Sequence, residues 1–266
     1  VGDLFTAGSL PGRLLAAACA LVILLMAAWC PQAVFTAGAG GADDAAQLTL
    51  AQMAAKLLPI VLLIGGVLGG LYAGWFTATE AGAVGAAMAL AIALLRRKLG
   101  WRSFGEVLRQ TGHVTVAVSF LIICASIYTR MLAMSGTPQA LVEWMAGAGL
   151  GVAGFLLLYV LIVLLLGTVV DSSSIMLIVL PLMLPVAEQL GLNLIWFGVV
   201  TVVAVEIGLL TPPFGLSAYV VKSTLADIAP VTLGEVFRGT LPFTLVMIAV
   251  LGLLLAFPQI SLVLLR

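Results

Sequence analysis

Glu206-Ile207-Gly208-Leu209-Leu210-Thr211-Pro212-Pro213-Phe214-Gly215 interrupts an otherwise apolar stretch at 195–221. Proline lacks a backbone donor and its ring clashes with the carbonyl four residues earlier. Pro212 and Pro213 are therefore expected to release the carbonyls of Gly208 and Leu209. Gly215 lets the chain turn before a second half-helix begins. The expected product is a broken helix, with free carbonyls on one side and a positive helix N-terminus on the other. Such breaks hold cations on carbonyls and anions on helix N-termini near the midplane of secondary transporters. A simple proline kink is the plainer alternative.

The rest of the chain supplies the membrane that this break requires. Of 266 residues, 63% are hydrophobic and 8% charged, against about a quarter charged in soluble domains. That balance excludes an ordinary soluble fold and disorder. The long apolar runs exclude a barrel, whose strands alternate over about ten residues. Lys plus Arg equals Asp plus Glu at 11 each, so no basic excess points to nucleic acid. The expected class is an all-α polytopic membrane protein. Candidate spans lie at about 12–30, 57–76, 78–95, 113–133, 152–168, 174–188, 195–221 and 240–258. Cys19, Cys30 and Cys124 lack metal-ligand spacing and read as small core residues. A single histidine, His113, and the absence of HExxH and GxxxxGK[ST] patterns give no support to an enzyme or an ATPase.

Asp171 is the other informative position. It follows an uncharged run at 152–170, within Gly167-Thr168-Val169-Val170-Asp171-Ser172-Ser173-Ser174. One carboxylate, four hydroxyls and a glycine form an oxygen-rich patch of the kind hard cations choose. The flanking arms, about 17 and 15 residues, fall short of the roughly 20 that a span needs. They read as a re-entrant hairpin at 152–188 with Asp171 near its tip. A surface loop between two short spans, with Asp171 solvated, is the alternative. Glu206 receives no role, and Pro181 and Pro185 are expected to bend the second arm.

Charge and capping patterns orient the chain. Arg96, Arg97, Lys98, Arg102 and Arg109 mark a cytoplasmic connection, with Lys222 and Arg238 flanking another on the same side. The loop at 31–55 contains no Lys or Arg and orients nothing. Capping boxes are expected at Thr77 with Glu80, Ser103 with Glu106, and Thr232 with Glu235. The last two are expected to open short interfacial helices at 103–109 and 232–238.

Several motifs together carry a family resemblance. Gly2-Asp3-Leu4-Phe5 with Ala7-Gly8 and Pro11-Gly12 resembles GDLFxAGxxPG. Thr77-Ala78-Thr79-Glu80-Ala81 resembles TPTEA, and Gly167 to Asp171 resembles GMFxD. Leu182 to Pro185, Gly191 and Phe197-Gly198 fit the segment that follows. Ile207 to Gly215 resembles IGLxTPPxG, and Phe257-Pro258 fits a closing FPxL region. In this order they resemble the large, DctM-like membrane subunit of tripartite ATP-independent periplasmic (TRAP) transporters, over nearly the whole chain.

That resemblance implies an elevator-type, sodium-driven importer of organic acids, such as C4-dicarboxylates or sialic-acid-like carboxylates, in a bacterial inner membrane. It implies a small membrane subunit and a periplasmic binding protein as partners, and no cofactor beyond the coupling ion. Scaffold-type spans and an interfacial helix would occupy 1–110. Half of a transport domain would occupy 111–266, with the hairpin at 152–188, the broken helix at 195–221 and a final span at 240–258. By motif, substrate and ion would meet Gly167, Thr168, Asp171, Ser172, Ser173, Gly208, Thr211, Pro212, Pro213 and Gly215. Sodium would sit at Asp171, Thr168, Gly208 and Thr211. Thr168-Val169-Val170 departs from the family's Met-Phe-x, and three serines follow the aspartate. The family's earlier half, with its own hairpin and broken helix, has no counterpart here, so the chain reads as a C-terminal portion. Related transporters without a binding protein, or a non-transporting remnant, are the alternatives.

Overall fold

The computed structural model describes residues 2–29, 50–97, 99–225 and 231–265. Cys30, Lys98 and most of the 31–55 loop lie outside them. The described residues form helices α1 (Gly2–Trp29), α2 (Leu50–Tyr72), α3 (Ala78–Leu95), α4 (Trp101–Ser135), α5 (Thr137–Gly147) and α6 (Val152–Gly167). They continue with α7 (Ser172–Gln189), α8 (Leu194–Leu210), α9 (Leu216–Leu225), α10 (Leu233–Ala256) and the short α11 (Gln259–Leu262). No strand occurs among the described residues. Five helices, α1, α3, α4, α7 and α10, are long and apolar enough to cross a membrane. This is the all-α polytopic architecture that composition demands.

The chain divides into two compact units, one of residues 1–6 and 26–116, the other of residues 7–25 and 117–266. In the first, α2 packs on α3. The capping box of Thr77 and Glu80 is formed in full: Thr77 Oγ1 accepts from Glu80 N–H, and Glu80 accepts from Thr77 N–H at 2.7 Å. Thr232 and Glu235 repeat that arrangement at the start of α10 in the second unit.

Three sequence expectations are corrected. Ser103 caps nothing, because α4 already begins at Trp101 and Phe104 N–H bonds the Gly100 carbonyl. Glu106 instead accepts from Arg109 and Gln110 along the helix surface. The interfacial segments at 103–109 and 232–238 are also not separate helices. They run without a break into α4 and α10, and α10 continues through Pro242. Cys124 is exposed and Cys19 half-buried, so neither belongs to a closed core. His113 is exposed on α4.

The two helices expected as hairpin arms differ from their expected lengths. α6 has 16 residues and α7 has 18, because Ser172 to Ser174 form the first turn of α7. At 1.5 Å per residue α6 reaches only about 24 Å, less than the roughly 30 Å hydrocarbon core. α7 reaches about 27 Å and is apolar enough to cross a membrane, so α6 is the shorter of the two.

The second unit holds the main core, built from α6, α7, α8 and α10. Phe155, Tyr159 and Phe197 stack at its centre, with Tyr159 and Phe197 ring centroids 4.6 Å apart. Two polar links cross it. The Tyr159 hydroxyl pairs with Thr201 Oγ1 at 2.7 Å, and Trp196 Nε1–H donates to the Leu254 carbonyl at 2.9 Å. In lipid, apolar burial drives helices together weakly, so close packing and interhelical hydrogen bonds carry more of the association.

Candidate functional site

The oxygen-rich tip and the proline break belong to the same end of neighbouring helices. α6 closes on Gly167, and Thr168 is its C-cap, buried with its hydroxyl donating to the Leu165 carbonyl at 2.8 Å. α8 closes on Leu210, and Thr211 leaves the helix in extended geometry, φ −94° and ψ 138°. Pro212 and Pro213 follow, exposed and joined by a cis peptide bond. Gly215 then takes φ +53°, a left-handed value that suits glycine, and α9 starts one residue later. The break is therefore complete: two helices with a turn between them, where a kink would have kept one.

Contacts between the two motifs are made by backbone. Gly215 N–H donates to the Thr168 carbonyl at 3.2 Å. Gly167 and Gly208 meet where α6 crosses α8. A Cβ on Gly167 would stand 2.8 Å from the Gly208 Cα, and one on Gly208 only 2.7 Å from the Gly167 Cα. Nothing larger than hydrogen fits at either position without moving a helix. The Phe237 ring of α10 closes over Gly215, 2.6 Å from where its Cβ would be.

At Gly208 the hydrogen bonding differs from the expected release of its carbonyl. The Gly208 carbonyl accepts from Thr211 N–H at 3.0 Å, and Thr211 Oγ1 donates to the Ile207 carbonyl at 2.7 Å. The last turn tightens, so the Gly208 carbonyl gains a substitute donor for the one proline removes.

Asp171 is the N-cap of α7. Its carboxylate accepts from Ser174 N–H at 3.0 Å and from Ser174 Oγ at 2.6 Å. It is exposed, as is Ser173, while Ser172 is half-buried. The structure thus gathers Gly167, Thr168, Gly208, Thr211 and Gly215 around one crossing. Asp171 is one short link away, and its hydrogen bonds stay in its own turn. Glu206 lies on the exposed side of α8.

Beside the break is a cleft of about 270 Å³, lined by Thr211, Pro212, Phe237, Arg238 and Thr240 among others. Arg238 is its one charged lining residue. Sequence reading used Arg238 only as an orienting charge, since nothing in the sequence ties α10 to the break. Phe237 escaped notice for the same reason.

A broken apolar helix with a cleft beside it, and a capped oxygen-rich turn at the end of the neighbouring helix, define a multi-helix membrane protein organised around irregular backbone. The family model for the tripartite ATP-independent periplasmic transporter, DctM component, matches residues 1–260, and the chain belongs to that family. It is 32% identical over 99% of its length to the C4-dicarboxylate TRAP transporter large permease protein DctM of Pseudomonas aeruginosa, covering 60% of that protein. It is 35% identical to the protein of the same name from Rhodobacter capsulatus, again over 99% of its length and 58% of the relative. The sialic acid TRAP transporter large permease protein SiaM of Vibrio cholerae is 32% identical over 99% of this chain and 60% of its own. The chain thus spans about 60% of the length of these curated relatives.

Proposed function

We propose that this chain forms part of a permease for sodium-coupled import of organic acids, working in the bacterial inner membrane with a small membrane subunit and a periplasmic binding protein. The observation that carries the reading is the join between the two motifs: Gly215 N–H on the Thr168 carbonyl, and Gly167 against Gly208. It unites two irregular backbone segments in one rigid feature, and irregular backbone at membrane depth is tolerated where it is buried or lines a cavity.

The donor accounting supports a cation there. The Thr168 and Thr211 hydroxyls spend their protons on backbone carbonyls, which leaves oxygen lone pairs available. The carbonyls of Thr168 and Gly208 each accept one N–H, and a carbonyl has two lone pairs. Sodium would draw on these oxygens, with the Asp171 carboxylate supplying the negative charge. Arg238 would face the carboxylate of the organic acid in the cleft. In this reading residues 111–266 belong to the moving part, with 152–188 as a re-entrant hairpin. The relatives named for C4-dicarboxylate and sialic acid support an organic acid as cargo.

The test is uptake into vesicles that contain the whole permease with its small subunit, supplied with binding protein. Uptake should require an inward sodium gradient. Asp171→Ala removes cap and charge together, whereas Asp171→Asn keeps a capping oxygen. Both should abolish sodium-driven uptake, while only the alanine variant should lower thermal stability, by about 1 kcal/mol. Uptake indifferent to sodium, or full activity in Asp171→Asn, would sink the reading.

A further inference from the structure

The connection between α3 and α4 has features that the transport reading does not use. α3 ends at Leu95, with Arg96 as its C-cap. Arg97 follows at φ +53°, the only non-glycine residue with a positive φ among those described. Glycine normally takes that position after a helix because other side chains are strained there. Here an arginine holds that position, with its side chain exposed.

Around this turn the charge is one-sided. Arg96, Arg97, Lys98 and Arg102 fall within seven residues that contain no Asp or Glu. The nearest carboxylate after them, Glu106, is already engaged by Arg109 at 2.8 Å. Beside the cluster is an apolar notch of about 330 Å³, lined by Leu90, Leu94, Leu99, Gly100, Trp101 and Phe104. Trp101 begins α4 at 91% exposure, and Leu95 is 84% exposed. Tryptophan with one apolar and one polar requirement is enriched where hydrocarbon meets headgroups.

From these observations we infer that the α3–α4 connection is a binding site for an anionic phospholipid. The phosphodiester lies against Arg97 and Arg102, and an acyl chain occupies the notch along Leu90, Leu94 and Phe104. An acidic protein segment would match the charge but not an alkyl-lined notch at the end of two membrane helices. A zwitterionic lipid would fill the notch but carries its own cation beside the phosphate. Orientation by positive charge alone needs neither the notch nor the left-handed Arg97.

The test uses Trp101 as its own reporter. Trp29, Trp75 and Trp144 are replaced by phenylalanine, and Trp196 is kept because it is 3% exposed and beyond reach of lipid. The full chain is reconstituted in phosphatidylcholine vesicles holding a minor fraction of lipid brominated on its acyl chains. Brominated phosphatidylglycerol should quench Trp101 with an affinity about fivefold above brominated phosphatidylcholine for each arginine engaged. Arg97→Gln with Arg102→Gln should remove that preference, while Arg97→Lys with Arg102→Lys should retain most of it. Raising salt on vesicles already formed should also remove it, with topology held fixed. Equal quenching by the two lipids in low salt, or a preference untouched by the glutamine pair and by salt, would overturn the inference.

Discussion

The α6–α8 and α2–α3 helix pairs pack differently. In the α6–α8 pair, α8 has ten buried residues in a helix of 17. In the α2–α3 pair, α3 has one, Ala81, in a helix of 18. Glycine lies at both contacts, but for different reasons. A Cβ on Gly66 would meet the Met88 Cε at 2.7 Å, and one on Gly85 the Val67 Cγ2 at 3.3 Å. Those neighbours are side-chain atoms, and the Met88 end can swing aside. At Gly167 and Gly208 the obstruction is main chain on both sides. What an added methyl group would strike separates the tightly packed crossing from the looser one.

Substitutions can break or sharpen this contrast. Gly208→Ala should have the largest effect, because a helix must move to admit the methyl group. Overpacking typically costs about 1–3 kcal/mol, and with backbone as the neighbour the upper end is expected. Thermal unfolding in detergent should show the loss, along with defective transport in the assembled permease. A stable, active Gly208→Ala would mean the crossing is looser than 2.7 Å implies. Thr201→Val should come next. It leaves the buried Tyr159 hydroxyl without its 2.7 Å partner, at about 1–3 kcal/mol. Adding Tyr159→Phe should recover much of that, since removing both partners can be nearly neutral. A double variant no better than the single would assign the cost to packing around Thr201. Gly66→Ala should have the smallest effect, within about 0.5 kcal/mol in either direction. Met88 yields, and alanine favours the helix. A loss as large as that of Gly208→Ala would erase the distinction between the two pairs.

The break itself was legible in the sequence, since Pro212, Pro213 and Gly215 act through local sterics that no tertiary contact reverses. The caps at Thr77 and Thr232 were legible because a hydroxyl and a glutamate three residues on need only each other. Ser103 with Glu106 has the same spacing but fails, because good helix formers carry α4 back to Trp101 and leave Ser103 inside it. The helix at 152–167 matches its expected bounds to within a residue. The one after it was read short because serines look like loop until Asp171 is seen capping them. α5 was not anticipated, its 11 residues being too few and too mixed to register as a span. Least legible was the tertiary part of the site. That Gly167 faces Gly208, that Thr168 accepts from Gly215, and that Phe237 and Arg238 flank the break all depend on helix crossings. No spacing within one segment encodes them.

The bond from Gly215 to Thr168 also has a consequence for the order of synthesis. A ribosome delivers Thr168 well before Gly215, and during that interval the Thr168 carbonyl lacks the donor it will finally use. Unpaired backbone is poorly tolerated in hydrocarbon. Gly215 is thus a late fastener: its bond to the Thr168 carbonyl can form only once α8 and the proline break have been made.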